Sequence, residues 1–81
     1  MDYSEVESKV KEVLAAKLNL GIDKIGSDSA LVEDLGMDSF TSIEAVFELE
    51  EKFDLKISDE DISKAKTVKD IVDYIAGRTK V

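Results

Sequence analysis

Asp34-Leu35-Gly36-Met37-Asp38-Ser39-Phe40 is the stretch on which the reading of this 81-residue chain turns. A segment without periodicity, carrying a glycine, gives way there to an apolar pattern at helical spacing. Asp38 stands where an N-cap would accept from the orphan N–H groups of a first helical turn. Ser39 then opens the helix. A hydroxyl at that position lies among unpaired N–H groups at the positive end of the helix dipole, which suits a phosphate attached there. Ser39 is therefore the candidate attachment point for the chain's chemistry.

Working outward, the helix that begins at Ser39 is expected to run to about Lys52, with Ile43, Val46, Leu49 and Phe53 toward the core. An earlier helix is expected over about residues 4–18, where Val6, Val10, Val13, Leu14 and Leu18 form one apolar stripe. Its start is open between two capping pairs, Asp2 with Glu5 and Ser4 with Glu7. Asn19 and Gly21 supply its stop signals. The intervening loop, 19–37, is long for a compact domain. It is tolerable if Leu20, Ile22, Ile25, Leu31, Val32 and Leu35 pack, with a short turn near Ala30 to Glu33. Ser58 with Asp61 predicts a short helix over about 59–64, anchored by Leu55, Ile57 and Ile62. Thr67 with Asp70 opens a last helix over about 68–76, with Val68, Ile71, Val72 and Ile75 inward and Gly77 ending it. Arg78 to Val81 should fray. The expected fold is all-α, a small up-and-down-like bundle of three principal helices plus one short helix, in one domain spanning 1–81.

Composition narrows the chemistry. The chain has neither His nor Cys, so it lacks the usual general base near neutral pH, a thiol nucleophile and the commonest zinc ligands. Self-contained catalysis and a dedicated metal site are not expected. No disulfide framework, basic leader or membrane-spanning run is visible, so a soluble, cytoplasmic, monomeric protein is expected. The net charge of −8 opposes binding to nucleic acid or anionic membrane and favours basic protein partners.

The helix after Ser39 carries Phe40, Glu44, Phe47, Glu48 and Glu51 along one side, at i, i+4, i+7, i+8 and i+11. Taken singly, the two phenylalanines read as core residues on a wide stripe and the carboxylates as a solvated face. Taken with Ser39 at the head of the same helix, the set reads as a docking surface: carboxylates steer a basic partner and an aromatic anchors it. Glu50 falls inside the apolar arc, and the sequence assigns it no role.

These residues resemble the acyl carrier proteins of the discrete, single-domain kind. The most specific element is Asp34-Leu35-Gly36 followed by Asp38-Ser39 and an apolar residue; Glu50-Glu51-Lys52-Phe53 and the run from Thr67 to Ile75 support it. The resemblance covers nearly the whole chain. It implies that Ser39 receives phosphopantetheine from coenzyme A through a separate phosphopantetheinyl transferase, the holo-carrier-protein synthase. Asp38 would help hold magnesium in that complex. It also implies acyl groups carried as thioesters on the imported thiol, and partners with basic patches such as ketosynthases, reductases, dehydratases and acyltransferases. A growing acyl chain could retreat among Val10, Leu14, Ile43, Val46, Phe53, Ile57, Ile62, Val68, Ile71, Val72 and Ile75, each of which also reads simply as core.

The chain departs from the family pattern at Met37, Phe40, Phe47, Glu48 and Ser58, where a small residue, leucine, methionine, alanine and proline are common. The departures leave modification credible and open the choice between general fatty-acid synthesis and a dedicated, polyketide-like or specialised lipid pathway. Two other classes compete. A calcium-binding helix-loop-helix needs oxygen ligands at fixed offsets. Loops begun at Asp23 or Asp28 put Ile25 or Ala30 in the third position and fail. An unmodified acidic adaptor would need the same helices and no role for Ser39.

Overall fold

The computed structural model describes residues 2–79 as four helices and a 3-10 turn, without a strand among the described residues. Helix α1 spans Tyr3–Leu18, α2 Ser39–Phe53, α3 Asp59–Ile62 and α4 Val68–Arg78, with the 3-10 turn at Ile22–Lys24. Of the two possible starts for α1, Asp2 is the cap: its carboxylate accepts the Glu5 N–H at 2.9 Å. Asn19 closes the helix in the left-handed conformation at φ 57°. Gly21, offered as a second stop signal, is extended at φ −68° and takes no part in that cap.

The core is organised around α1. Val6, Val10, Val13 and Leu14 are fully buried, and α1 packs along both α2 and α4 while those two scarcely touch each other. Helix α2 contributes Ala45, Val46, Leu49 and Phe53 to the core, and α4 contributes Val68, Ile71, Val72, Ile75 and Ala76. Ile43, expected in the core, is exposed instead. The buried arc of α2 runs through Ala45, Val46, Leu49 and Phe53, and this rotation leaves Ile43 beyond its edge. Lys17 with Glu48 at 3.4 Å and Lys52 with Glu12 at 3.9 Å tie α1 to α2 on the outer side of the same seam.

The wedge between α2 and α4 is filled by the loop before α2 and by α3. Ile25 and Leu31 are buried and Leu35 is half-buried, but Leu20, Ile22 and Val32 are exposed, contrary to expectation. Backbone hydrogen bonds hold much of this loop. The carbonyls of Ser29 and Ser27 accept the N–H groups of Val68 and Lys69 at 3.1 and 2.9 Å, and Leu31 N–H donates to the Lys66 carbonyl at 2.9 Å. Two orphan donors of α4 are thereby satisfied by the loop itself. A third, the Asp70 N–H, goes to the Thr67 hydroxyl, and the Asp70 carboxylate returns bonds to the N–H groups of Lys66 and Thr67.

Helix α4 runs through Gly77 to Arg78, beyond the expected stop. Thr79 caps it, donating its N–H to the Ile75 carbonyl at 2.9 Å. Of the expected frayed end, Lys80 and Val81 lie outside the described residues. Glu50 also acquires a role: its carboxylate accepts the Ile57 N–H at 2.8 Å, holding the turn after α2. That turn needs no glycine, because Asp54 takes the left-handed position at φ 51°.

The N–H groups of Lys66 and then Thr67 hold the Asp70 carboxyl below its ordinary value of 3.8. A lowered folded-state value means that this group stabilises the fold above the unfolded pKa and loses that contribution as pH falls through the folded one. The thermal midpoint should therefore drop between pH 5 and pH 3, and the drop should be shallower in Asp70→Asn. Equal slopes in the two proteins would remove Asp70 from the acid response.

Candidate functional site

Residues 30–37 deliver the chain to α2 through a tight set of hydrogen bonds. The Asp34 carboxylate accepts the Ala30 N–H at 2.8 Å, while the Ala30 carbonyl accepts the N–H groups of Asp34 and Leu35 at 3.0 and 3.1 Å. Gly36 follows at φ +70°, a backbone conformation that costs other residues. Met37 N–H then turns back to the Leu31 carbonyl at 3.0 Å, and the Met37 side chain is buried. The acid, the glycine and the methionine thus set the point and direction at which α2 begins.

At that point Asp38 is the N-cap, its carboxylate accepting the Thr41 N–H at 2.8 Å and its carbonyl the Ser42 N–H at 2.9 Å. Hydrogen bonds from Thr41, the backbone N–H first, lower the Asp38 pKa below 3.8 and keep it ionised at neutral pH. Ser39, the first residue of α2, is exposed. The N–H groups of Ser39 and Phe40 have no intrahelical acceptor. Whereas the loop closes over the first N–H groups of α4, the Asp38 carboxylate engages only the Thr41 N–H among those at the head of α2. An anionic group on the Ser39 oxygen would therefore meet an exposed attachment atom and free donors at a helix start.

Beyond Ser39, Phe40, Phe47 and Ile43 are 70%, 61% and 54% exposed. Glu44 and Glu51 stand exposed on the same side, while Glu48, at the border with α1, is half-buried and paired with Lys17. On the inner side of α2 lies a cavity of about 170 Å³, walled by Met37, Ala45, Val46, Leu49, Ile62 and Ile71 among others. Of the residues expected to line such a space, Val46, Ile62 and Ile71 do. Ile43 borders a second space beside it instead. Val10, Leu14, Val68, Val72 and Ile75 are fully or almost fully buried core, and Phe53 and Ile57 are buried away from both spaces. Leu31 and Met37 line it by virtue of the loop's path, which no sequence period reveals, and Ala45 by virtue of the rotation of α2.

Residues 8–75 match the family model described as the phosphopantetheine attachment site. The chain belongs to this family. Its fold is also that of a solved structure described as "a putative acyl carrier protein" from Mycobacterium tuberculosis, with a TM-score of 0.82 and 32% identity over 90% of this chain and 97% of that one. The four-helix arrangement is the acyl-carrier fold, and the family's domains carry phosphopantetheine and are not themselves catalysts. In this carrier domain, no described helix is long and apolar enough to cross a membrane.

The carrier's loop gives a direct test. A Cβ at Gly36 would meet nothing within 4 Å, so substitution there probes backbone strain alone. Gly36→Ala should lower stability by about 1–2 kcal/mol in urea titration, and Gly36→Asn by less, because asparagine visits the left-handed region more readily. A neutral alanine variant would mean that the turn before Ser39 does not depend on this conformation.

Proposed function

We propose that Ser39 is the attachment residue for phosphopantetheine and that residues 1–81 act as one acyl-carrier domain. The observation that carries this reading is the exposed Ser39 hydroxyl at the head of α2, immediately after an N-cap whose carboxylate is engaged by Thr41. Ser39 would hold the group through a phosphodiester. Attached, the group supplies a terminal thiol that holds acyl groups as thioesters. Asp38 keeps the first turn of α2 in register and offers an ionised carboxylate that could share a magnesium ion with the transferase during loading. Phe40, Phe47 and Glu44, with Glu51 a turn further on, form the face that would meet the transferase and acyl-processing enzymes. The acids raise the rate of encounter and the phenylalanines provide area to desolvate. Glu48 contributes less to this face, since Lys17 already partners it.

General fatty-acid synthesis in the cytoplasm is the first reading of the pathway. A dedicated acyl pathway is the second, favoured by the bulky, exposed Phe40 and Phe47 where partners would make contact. A competition assay separates them: rejection of the acylated protein by general fatty-acid ketosynthases selects the dedicated pathway.

Incubating the unmodified protein with coenzyme A, magnesium and a broad-specificity transferase, followed by intact-mass measurement, tests the central assignment. The expected result is one added phosphopantetheine, none in Ser39→Ala, and slower addition in Glu44→Lys at low ionic strength. No addition to the native chain, or equal addition to the alanine variant, would refute it.

A further inference from the structure

Helix α3 is a single turn, too short to be stable alone. Its apolar anchor is Ile62, half-buried, which walls both the cavity beneath Ala45 and a second space of about 220 Å³ bounded by Ser42, Ile43, Val46, Phe47 and Asp59. Polar contacts hold the opposite side. The Asp61 carboxylate accepts the Tyr74 hydroxyl at 3.2 Å and the Arg78 guanidinium at 3.3 Å, and Arg78 lies over the Tyr74 ring at 4.9 Å. Both donors belong to α4. Among the described residues, no ion pair or side-chain hydrogen bond joins α3 to α2; the nearest tie on that side is Glu50 to the Ile57 N–H, in the turn before α3. Helix α3 is thus fastened to α4 and only leans on α2 across an apolar seam.

We propose that Asp61, Tyr74 and Arg78 form a latch that holds α3 on α4 as a lid over the apolar space beneath α2. The latch explains why α4 continues through Gly77: the added residue is Arg78, whose guanidinium reaches back to Asp61. Without it, no side-chain polar contact holds α3 itself to the other helices; the Ile62 contact and the anchored turns on either side, at Ile57 and Lys66, remain, and its opening becomes more frequent. Because the Asp61–Arg78 pair is partly exposed, salt weakens it, and the lid becomes sensitive to ionic strength. This inference goes beyond carrier function and stands whether or not Ser39 is modified.

Amide hydrogen exchange on the unmodified full chain tests it. The reporters are the N–H groups of Ile62, Ser63 and Ala65, bonded within the α3 turn at 2.9, 3.0 and 3.0 Å. In the double variant Tyr74→Phe with Arg78→Gln, their exchange should accelerate at least about tenfold, the loss expected for one hydrogen bond to a carboxylate and one exposed ion pair. The amides of Val72 and Ile75 should keep their rates. Raising ionic strength from about 0.02 M to 0.5 M should speed the reporters in the native protein and not in the variant. Lys69→Gln, which removes the exposed pair with Asp73, should leave the reporters unchanged. Unchanged reporters in the double variant, or equal acceleration at Val72 and Ile75, would overturn the latch.

Discussion

One helix serves two others. Helix α1 buries Val6, Val10, Val13 and Leu14 against α2 and α4 together, and those two do not pack along each other. Each such side chain contributes about 1.5–3 kcal/mol by leaving water. The divergence of α2 from α4 creates a wedge that a three-helix core cannot fill. A long loop and a one-turn helix occupy it, and the small cavity beneath α2 is the space they leave. The position of Ser39 is a consequence, since α2 must begin where the loop emerges from the wedge.

The acidic charge is distributed along the same lines. Glu12 and Glu48 are paired with lysines at the seam between α1 and α2. Asp34, Asp38 and Asp70 accept backbone N–H groups at the turn before α2 and at the heads of α2 and α4. Glu44 and Glu51 remain exposed on α2 beside the phenylalanines. These two acids thus stand on the helix that Ser39 opens.

Much of this was legible in the sequence because local chemistry and global packing agree. The three long helices follow from apolar spacing, and the caps at Asp38, Ser58 and Thr67 from side chains that bond the N–H three residues on. The difficult positions depended on partners distant in the chain. Ile43 lies within the apolar pattern of α2, and the packing of the other elements around that helix leaves Ala45 buried and Ile43 exposed. Leu20, Ile22 and Val32 suggested a loop held by side chains, whereas backbone bonds from Ser27 and Ser29 to the head of α4 do much of that holding. Gly77 reads as a stop, yet Arg78 beyond it has Asp61 to meet. Glu50 sits in an apolar arc because its partner, the Ile57 N–H, lies beyond the end of the helix.

On this reading the wedge and the Asp38 cap would present Ser39, among the chain's serines, as the anchor. Fragmentation mass spectrometry on protein purified from its native host tests this most directly, because it locates the modification residue by residue. The expected result is phosphopantetheine on Ser39. Finding the group on Ser42 or another serine, or a fully unmodified chain from a host that modifies its other carriers, would contradict it.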